Sequence, residues 1–198
     1  MMGVNSGKLG NKISALEKKI VQLRAQVNVL RKRAYREEVP DYELKNWQGG
    51  TTRLSQLFGG KKDLIVIHNM GTHCSYCTMW ADGFNGVLPH LEDRAAFVVT
   101  SPDLPKIQKN FANGRGWKFR MLSGHGSAFI KDAGFWAEKG PHAGPQPGVS
   151  TYSKEKGKIY RVSKTNFGPG DDFCGVWHLF DLLKDGAHGW SAQFLYKK

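Results

Sequence analysis

Residues 65–80 read IVIHNMGTHCSYCTMW, and this stretch decides the fold. The run at 64–67 is short, apolar and rich in β-branched residues, which is typical of a buried strand. Two cysteines separated by two residues follow a brief loop, and residues 78–91 favour a helix that Pro89 kinks or ends. The sequence therefore predicts a strand, a loop and a helix that begins at the cysteine pair.

The place of Cys74 at the start of that helix has a chemical consequence. Free backbone N–H groups and the positive end of the helix dipole both favour a thiolate there. We therefore expect the pKa of Cys74 to be lowered. Redox chemistry uses a thiol of this kind, because the thiolate is the nucleophile.

Length and composition set broad limits on the protein. The 198 residues, 40% hydrophobic and 23% charged, suffice for one soluble globular domain with an appendage. The chain has no apolar run of membrane length and no signal-peptide pattern, so we expect a cytoplasmic protein without a membrane partner. Three cysteines do not make a disulfide scaffold, and a reducing cytosol suits a dithiol that cycles. The net charge of +12 permits binding to nucleic acid, anionic lipid or acidic protein without establishing any of them.

The N-terminal arm has two parts. Residues 1–10 are small, polar and glycine-containing, and we expect them to be disordered. Residues 11–39 predict a coiled-coil helix that Pro40 ends, since apolar residues recur at alternating steps of three and four. This apolar seam has β-branched residues or alanine at heptad position a and leucine at position d, which favours two strands and hence a homodimer through the helix. The seam consists of Ile13, Ile20, Val27 and Ala34 at a, and Leu16, Leu23 and Leu30 at d.

The charges beside the seam leave several arrangements open. In a parallel homodimer, Lys19 would face Arg24 of the other copy, whereas only Lys12 against Glu17 is attractive. An antiparallel pair and docking onto the chain's own domain are therefore alternatives. A third alternative is that the basic helix binds another protein or nucleic acid.

Residues 40–198 predict an α/β domain. The runs at 95–100 and 117–122 indicate two further strands, with a helix between them. Ser101, Pro102 and Asp103 predict a turn and the N-cap of that helix. Strand, helix, strand, helix, strand is the pattern of a parallel sheet. After a loop-rich stretch we expect a β-hairpin, and then a last helix capped by Asp171 or Asp172 with Leu179 and Leu183 facing inward.

The order of these elements resembles the thioredoxin fold, a central mixed sheet flanked by helices, here with the coiled-coil helix added. Within it, CSYCTMWADGFNG at 74–86, GW at 116–117 and PGVS at 147–150 are similar to a bacterial thioredoxin-like family of unknown function. Members of that family are described as predicted dithiol-disulfide oxidoreductases. The resemblance covers residues 42–190. It implies thiol–disulfide exchange with a protein or small-molecule disulfide and a thiol electron donor, without a cofactor or a metal.

We assign roles to five residues on this basis. Cys74 is the expected attacking thiol and Cys77 the expected resolving thiol. His73 would stabilise the thiolate as an imidazolium, and Asp82 would shuttle a proton. Pro147 is the best match to the cis-proline that faces the dithiol in thioredoxin. Plainer readings are an exposed loop histidine, a surface or capping carboxylate and an ordinary trans proline.

Two other functions stay open from the sequence. One is a thiol peroxidase, which also depends on a reactive cysteine. The other is a non-catalytic thioredoxin-fold protein that binds a metal, nucleic acid or a protein partner. A zinc site needs four ligands, and His68, His73 and Cys174 would have to assist the cysteine pair. Cys174 otherwise has the features of a small buried hydrophobe.

Overall fold

The computed structural model describes residues 3–34 and 36–197. Within them an eight-stranded sheet carries helices on both faces. The helices are α1 (Gly3–Ala34), α2 (Ser75–Gly86), α3 (Leu88–Arg94), α4 (Pro105–Arg115), α5 (Phe129–Asp132) and α6 (Gly175–Phe180), with a 3₁₀ turn at Leu54–Gln56. The strands are β1 (Glu37–Val39), β2 (Glu43–Lys45), β3 (Thr51–Arg53), β4 (Asp63–His68), β5 (Ala96–Ser101), β6 (Arg120–Ser123), β7 (Trp136–Ala137), β8 (Gly144–Pro145), β9 (Gly148–Glu155) and β10 (Lys158–Asn166).

The sheet is mixed, with its parallel part at the centre. Its order is β1-β10-β9-β4-β5-β6-β2-β3, while β7 and β8 form a separate small sheet. The β4–β5 and β5–β6 pairs are parallel, as the alternating pattern predicts, and the other pairs are antiparallel. Because β4 is paired on both edges, the loop that follows it and carries the cysteines starts from the middle of the sheet.

Two cores lie on the two faces of the sheet. One is rich in aromatic side chains and joins β4 and β5 to α2, α3, α4 and α6, with Trp80, Phe97 and Trp177 among its buried members. The other packs the 3₁₀ turn and α5 against the opposite face, with Leu54 and Phe129 fully buried. The expected α/β architecture, a central mixed sheet flanked by helices, is confirmed.

The N-terminal helix differs from the expected bounds at both ends. It already begins at Gly3, so the prediction of disorder for residues 1–10 is wrong for 3–10, while residues 1–2 lie outside the described residues. No proline interrupts this stretch, and a helix propagates easily once it is nucleated by its neighbours. The helix ends at Ala34, ahead of Pro40, because Glu37–Val39 pairs with β10 as a strand.

The last helix is shorter than predicted and faces differently. It has six residues and its N-cap is Cys174, whereas Asp171 accepts hydrogen bonds from nearby loop N–H groups. Leu179 and Leu183 are 64% and 57% exposed, so the inward orientation expected for them is wrong. The indole of Trp177 faces the core instead, where the tail residue Trp190 packs against it with ring centroids 6.1 Å apart.

Candidate active site

Cys74 is the N-cap residue of α2. Its backbone is extended, and its Sγ accepts a hydrogen bond from the backbone N–H of Cys77 at 3.1 Å. The Cys74 carbonyl accepts hydrogen bonds from the backbone N–H and the hydroxyl of Thr78 at 3.1 and 3.0 Å. A sulfur therefore takes the place that the oxygen of Ser or Asp takes in an ordinary helix cap.

The two cysteines are reduced and differ in their acidity. Cys74 is half-buried, whereas Cys77 is only 2% exposed. A hydrogen bond from the Cys77 thiol, helped by the backbone N–H groups of Cys77 and Tyr76, outweighs burial and lowers the pKa of Cys74 to about 7. The same contact, together with burial and the proximity of Cys74, raises the pKa of Cys77 far above its ordinary value. Near neutral pH the half-buried Cys74 thiol therefore ionises readily, whereas the buried Cys77 thiol stays protonated.

The loop before Cys74 is fixed by a residue that the sequence reading gave a different role. Asp103, expected as the N-cap of α4, accepts hydrogen bonds through Oδ2 from the backbone N–H of Thr72 at 3.1 Å and from the hydroxyl of Ser101 at 2.9 Å. The actual N-cap of α4 is Leu104. Gly71 has a φ of +115°, and a Cβ there would lie 2.9 Å from Asp103 Oδ1. The carboxylate thus holds the loop in a conformation that suits glycine.

A chain of buried polar side chains supports Asp103. Gln108 donates hydrogen bonds through Nε2 to the Ser101 hydroxyl at 2.8 Å and to the Leu122 carbonyl at 3.0 Å. Its Oε1 accepts one from the indole N–H of Trp47 at 3.1 Å. Ser101 and Gln108 are both 1% exposed. A buried polar network in which each member is hydrogen-bonded is rigid, so it keeps the position of the dithiol loop well defined.

Two of the residues expected to support catalysis lie at one end of the sheet. His73 is exposed on the loop beside Cys74. Pro147 immediately precedes β9, whose Gly148 lies opposite His68 at the end of β4. It is therefore at the same end of the sheet as the dithiol loop. The described residues contain no cis peptide bond, so Pro147 is trans in this structure.

Asp82 has a structural role in this fold. It lies eight residues beyond Cys74 in the chain, which is about 12 Å along the axis of α2. Its carboxylate is ion-paired with Arg115 and accepts a hydrogen bond from the indole N–H of the buried Trp117 at 2.7 Å. Asp82 therefore joins α2 to the end of α4 and the segment that follows it.

Aromatic side chains lie beside the dithiol, and the third cysteine belongs to the same core as Trp80 and Trp177. Tyr76, between the two cysteines in sequence, stacks on Trp177 with ring centroids 5.9 Å apart and also contacts Trp80. Cys174 is 6% exposed, as expected for a small buried hydrophobe. Its burial raises its pKa, which makes this thiol a poor nucleophile at neutral pH.

Residues 3–34 and 36–197 contain neither a three-ligand metal cluster nor a membrane-spanning helix. No group of three or more His, Cys, Asp or Glu side chains in these ranges is arranged to hold a metal ion. Within the same ranges, none of the helices combines the length and the apolar character needed to span a bilayer.

A family model described as "Bacterial protein of unknown function (DUF899)" matches residues 10–194. The chain belongs to the DUF899 family. The match confirms the bacterial family of unknown function indicated by the Cys74–Cys77 region, and it includes α1 from residue 10 onward. A search of curated proteins gave no match.

Solved structures similar to this DUF899 chain are peroxiredoxins. Peroxiredoxin Q from Xanthomonas campestris has a TM-score of 0.53 and 20% identity, covering 63% of this chain and 78% of its own. Peroxidoxin BcpB from Mycobacterium tuberculosis has a TM-score of 0.54 and 19% identity, and the match covers 67% of this chain and 84% of its own. Reduced Prx3 from Vibrio vulnificus in complex with H₂O₂ has a TM-score of 0.55 and 14% identity, and the match covers 70% of this chain and 90% of its own. At these identities the likeness concerns the fold, and it confirms that the DUF899 chain is thioredoxin-like.

Proposed function

We propose that this DUF899 protein is a thiol–disulfide oxidoreductase that works through Cys74 and Cys77. The asymmetry of the pair carries the proposal, because one thiol is accessible with a pKa of about 7 and its neighbour is buried and protonated. An attacking thiol is most effective when its pKa is close to the ambient pH. A resolving thiol must stay protonated until the mixed disulfide has formed, which fits Cys77.

The proposed reaction has two exchange steps. The Cys74 thiolate attacks one sulfur of a disulfide in a protein or small molecule, the substrate S–S bond breaks, and the first substrate thiolate leaves and takes up a proton. Cys77 then loses its proton and attacks Cys74 Sγ, which breaks the mixed disulfide and releases the second substrate thiol. Two electrons have passed to the substrate, and Cys74 and Cys77 are joined as a disulfide. A thiol electron donor restores the dithiol by the reverse chemistry.

His73 and Pro147 belong to the proposed surroundings of this reaction. The exposed His73 lies at the mouth of the loop, where its imidazolium would favour the thiolate that attacks or leaves. Pro147 lies at the neighbouring strand start, where an extended substrate segment would pass.

A redox titration in glutathione buffers tests the proposal. Wild-type protein, Cys77→Ser and the matched control Cys174→Ser are alkylated at each potential, and the modified cysteines are identified by mass spectrometry. We expect a reversible two-electron transition confined to Cys74 and Cys77 in wild type and Cys174→Ser. Cys77→Ser should accumulate a glutathione mixed disulfide on Cys74. The absence of reversible pairing at every potential would refute the oxidoreductase.

A thiol peroxidase is the second candidate, supported by the peroxiredoxin structures to which the fold is similar. Here the Cys74 thiolate attacks one oxygen of a peroxide, the O–O bond breaks, and an alcohol or water leaves after protonation. The sulfenic acid on Cys74 then condenses with the Cys77 thiol, which releases water and forms the same disulfide. Dimedone labelling of the Cys74 sulfenic acid in Cys77→Ser, after one equivalent of H₂O₂, distinguishes the peroxidase from the disulfide oxidoreductase. Labelling within seconds favours the peroxidase, whereas labelling as slow as that of free cysteine favours disulfide exchange.

A further inference from the structure

The apolar seam of α1 is solvent-exposed along its whole length. Every side chain from residue 7 to residue 30 is exposed, and the seam residues from 13 to 30 are between 41% and 62% exposed. A helix of this kind is stabilised mainly by packing of its apolar face. A contiguous apolar surface of this size on a protein marks an interaction site.

The helix touches the body of its own chain without burying the seam. Arg24 donates a hydrogen bond to Asp172 at 3.0 Å, and Arg31 donates one to the Thr165 hydroxyl at 2.9 Å. Between these contacts a groove of about 460 Å³ separates the helix from Phe173. Its lining on the helix side includes the seam residues Ile20, Leu23 and Val27. The seam thus borders a groove, and the body of its own chain leaves these apolar side chains uncovered.

We propose that the α1 helices of two copies of this chain pair with each other in antiparallel orientation, each lying along the groove of the other copy. The heptad composition favours two strands rather than three or four. The charges favour the antiparallel orientation at the centre of the seam. A parallel pair opposes Lys19 and Arg24 there, whereas the like-charged contact of the antiparallel pair, Lys12 with Arg33, lies near the end of the helix. In an antiparallel pair, position e of one helix faces position e of the other. With Ile20 opposite Leu23 of the other copy, Glu17 faces Arg24.

The same register explains how Arg24 is accommodated. Asp172 of its own chain and Glu17 of the other copy then approach the guanidinium from two sides, so the arginine is neutralised at the interface. A two-fold axis makes each of these contacts twice, as in a closed dimer. The proposal concerns association only, so its outcome is independent of the redox activity proposed for Cys74 and Cys77.

Molar mass in solution tests the dimer. Wild type, Leu23→Glu and Val21→Glu are compared by sedimentation equilibrium at micromolar concentration. Val21 is the matched control, because it is 63% exposed on the same helix, takes the same charge change and lies off the seam. We expect wild type and Val21→Glu to be dimers and Leu23→Glu to dissociate at least about a hundredfold more readily, with an unchanged near-UV spectrum that shows an intact body. A monomeric wild type, including one that binds DNA or an acidic protein, overturns the proposal, as do equal effects of the two substitutions.

Cross-linking tests the orientation. In a background with the three native cysteines replaced by serine, Leu16→Cys and Val27→Cys proteins are mixed, refolded together and oxidised. The antiparallel register places these positions in one layer and predicts a disulfide between the two different variants. A disulfide between two Leu16→Cys chains, or no cross-link in a sample that sediments as a dimer, overturns the antiparallel register.

Discussion

The Cys77 thiol is the hydrogen-bond donor that contributes most to the low pKa of Cys74. We expect Cys77→Ala to raise the pKa of Cys74 by about one pH unit, because the donor is lost while the helix N-terminus remains. Cys77→Ser keeps a donor hydroxyl and should give a smaller rise. The measurement is the alkylation rate of the Cys74 peptide against pH, whose midpoint should lie near 7 in wild type. Equal midpoints in wild type and Cys77→Ala would mean that the helix backbone alone sets the acidity.

His68 makes stability depend on pH. It is 2% exposed and stacks on Phe135, and burial, followed by the charges of Arg161 and Lys164, lowers its pKa to about 3. The unfolded chain, with an ordinary histidine pKa near 6.5, binds more protons between these values, so stability is complete above about pH 6.5 and falls as the pH is lowered towards 3. His68→Phe should remove about 1.4 kcal/mol per pH unit of that slope in urea unfolding between pH 6 and 4. The exposed His90→Phe should retain it.

Among the connecting elements, the loop before α2 depends on one glycine. Gly71 and Gly60 both have positive φ values, +115° and +88°, but only a Cβ at Gly71 would meet Asp103, whereas nothing lies within 4 Å at Gly60. Gly60→Ala should therefore cost about 1–2 kcal/mol for backbone conformation alone. Gly71→Ala should cost about 2–4 kcal/mol, because the hydrogen bond from Thr72 to Asp103 is also lost. Urea unfolding measures both, and equal costs would show that the contact with Asp103 contributes nothing.

The alkylation assay extends this comparison to the site. Gly71→Ala should alter the pH midpoint of Cys74 alkylation, because the loop that positions the sulfur moves. Gly60→Ala should leave that midpoint unchanged. A change in Gly60→Ala of the same size would indicate a general loosening of the fold instead.

Elements with strong short-range signals could be predicted from the sequence. The β-branched run of β4 and the helix beginning at the cysteine pair are examples, since their apolar spacing is set locally. The last helix could not be oriented in this way, because Trp190 in the tail decides that Trp177 rather than Leu179 is buried. Asp103 was likewise assigned only to the turn before α4, because its actual contact is with a distant part of the chain. Its partner Thr72 is 31 residues away, and no local pattern records that contact.

At the scale of the whole molecule, Asp82 joins distant parts of the chain. Arg115, held by Asp82, also donates a hydrogen bond to the Phe194 carbonyl in the C-terminal tail at 2.8 Å. Asp82→Ala should lower stability by about 1–3 kcal/mol, chiefly because the buried indole N–H of Trp117 loses its acceptor. The alkylation midpoint of Cys74 should stay unchanged. A shifted midpoint would support the proton-shuttle role expected for Asp82, and the exposed Asp93→Ala serves as the control for both measurements.

The heptads of α1 show, for the whole molecule, that a local sequence pattern does not record contacts with distant residues. Their spacing placed a helix correctly over most of α1, and the family match extends over it. The position of Phe173 across the groove decides whether the body of the chain covers the seam, and Phe173 is far from α1 in sequence. The sequence therefore left dimerisation, self-docking and binding of another partner open, and the exposed seam supports the proposal of a dimer.

The stack of Tyr76 on Trp177 makes the dithiol optically visible. Tyr76 lies between the two cysteines, so we expect closing a bond between their sulfurs to move the ring that stacks on this indole. The intrinsic fluorescence of Trp177 should therefore differ between the oxidised and reduced protein, and Trp177→Phe should abolish that difference. Stopped-flow emission would then follow each turnover of unlabelled protein in real time.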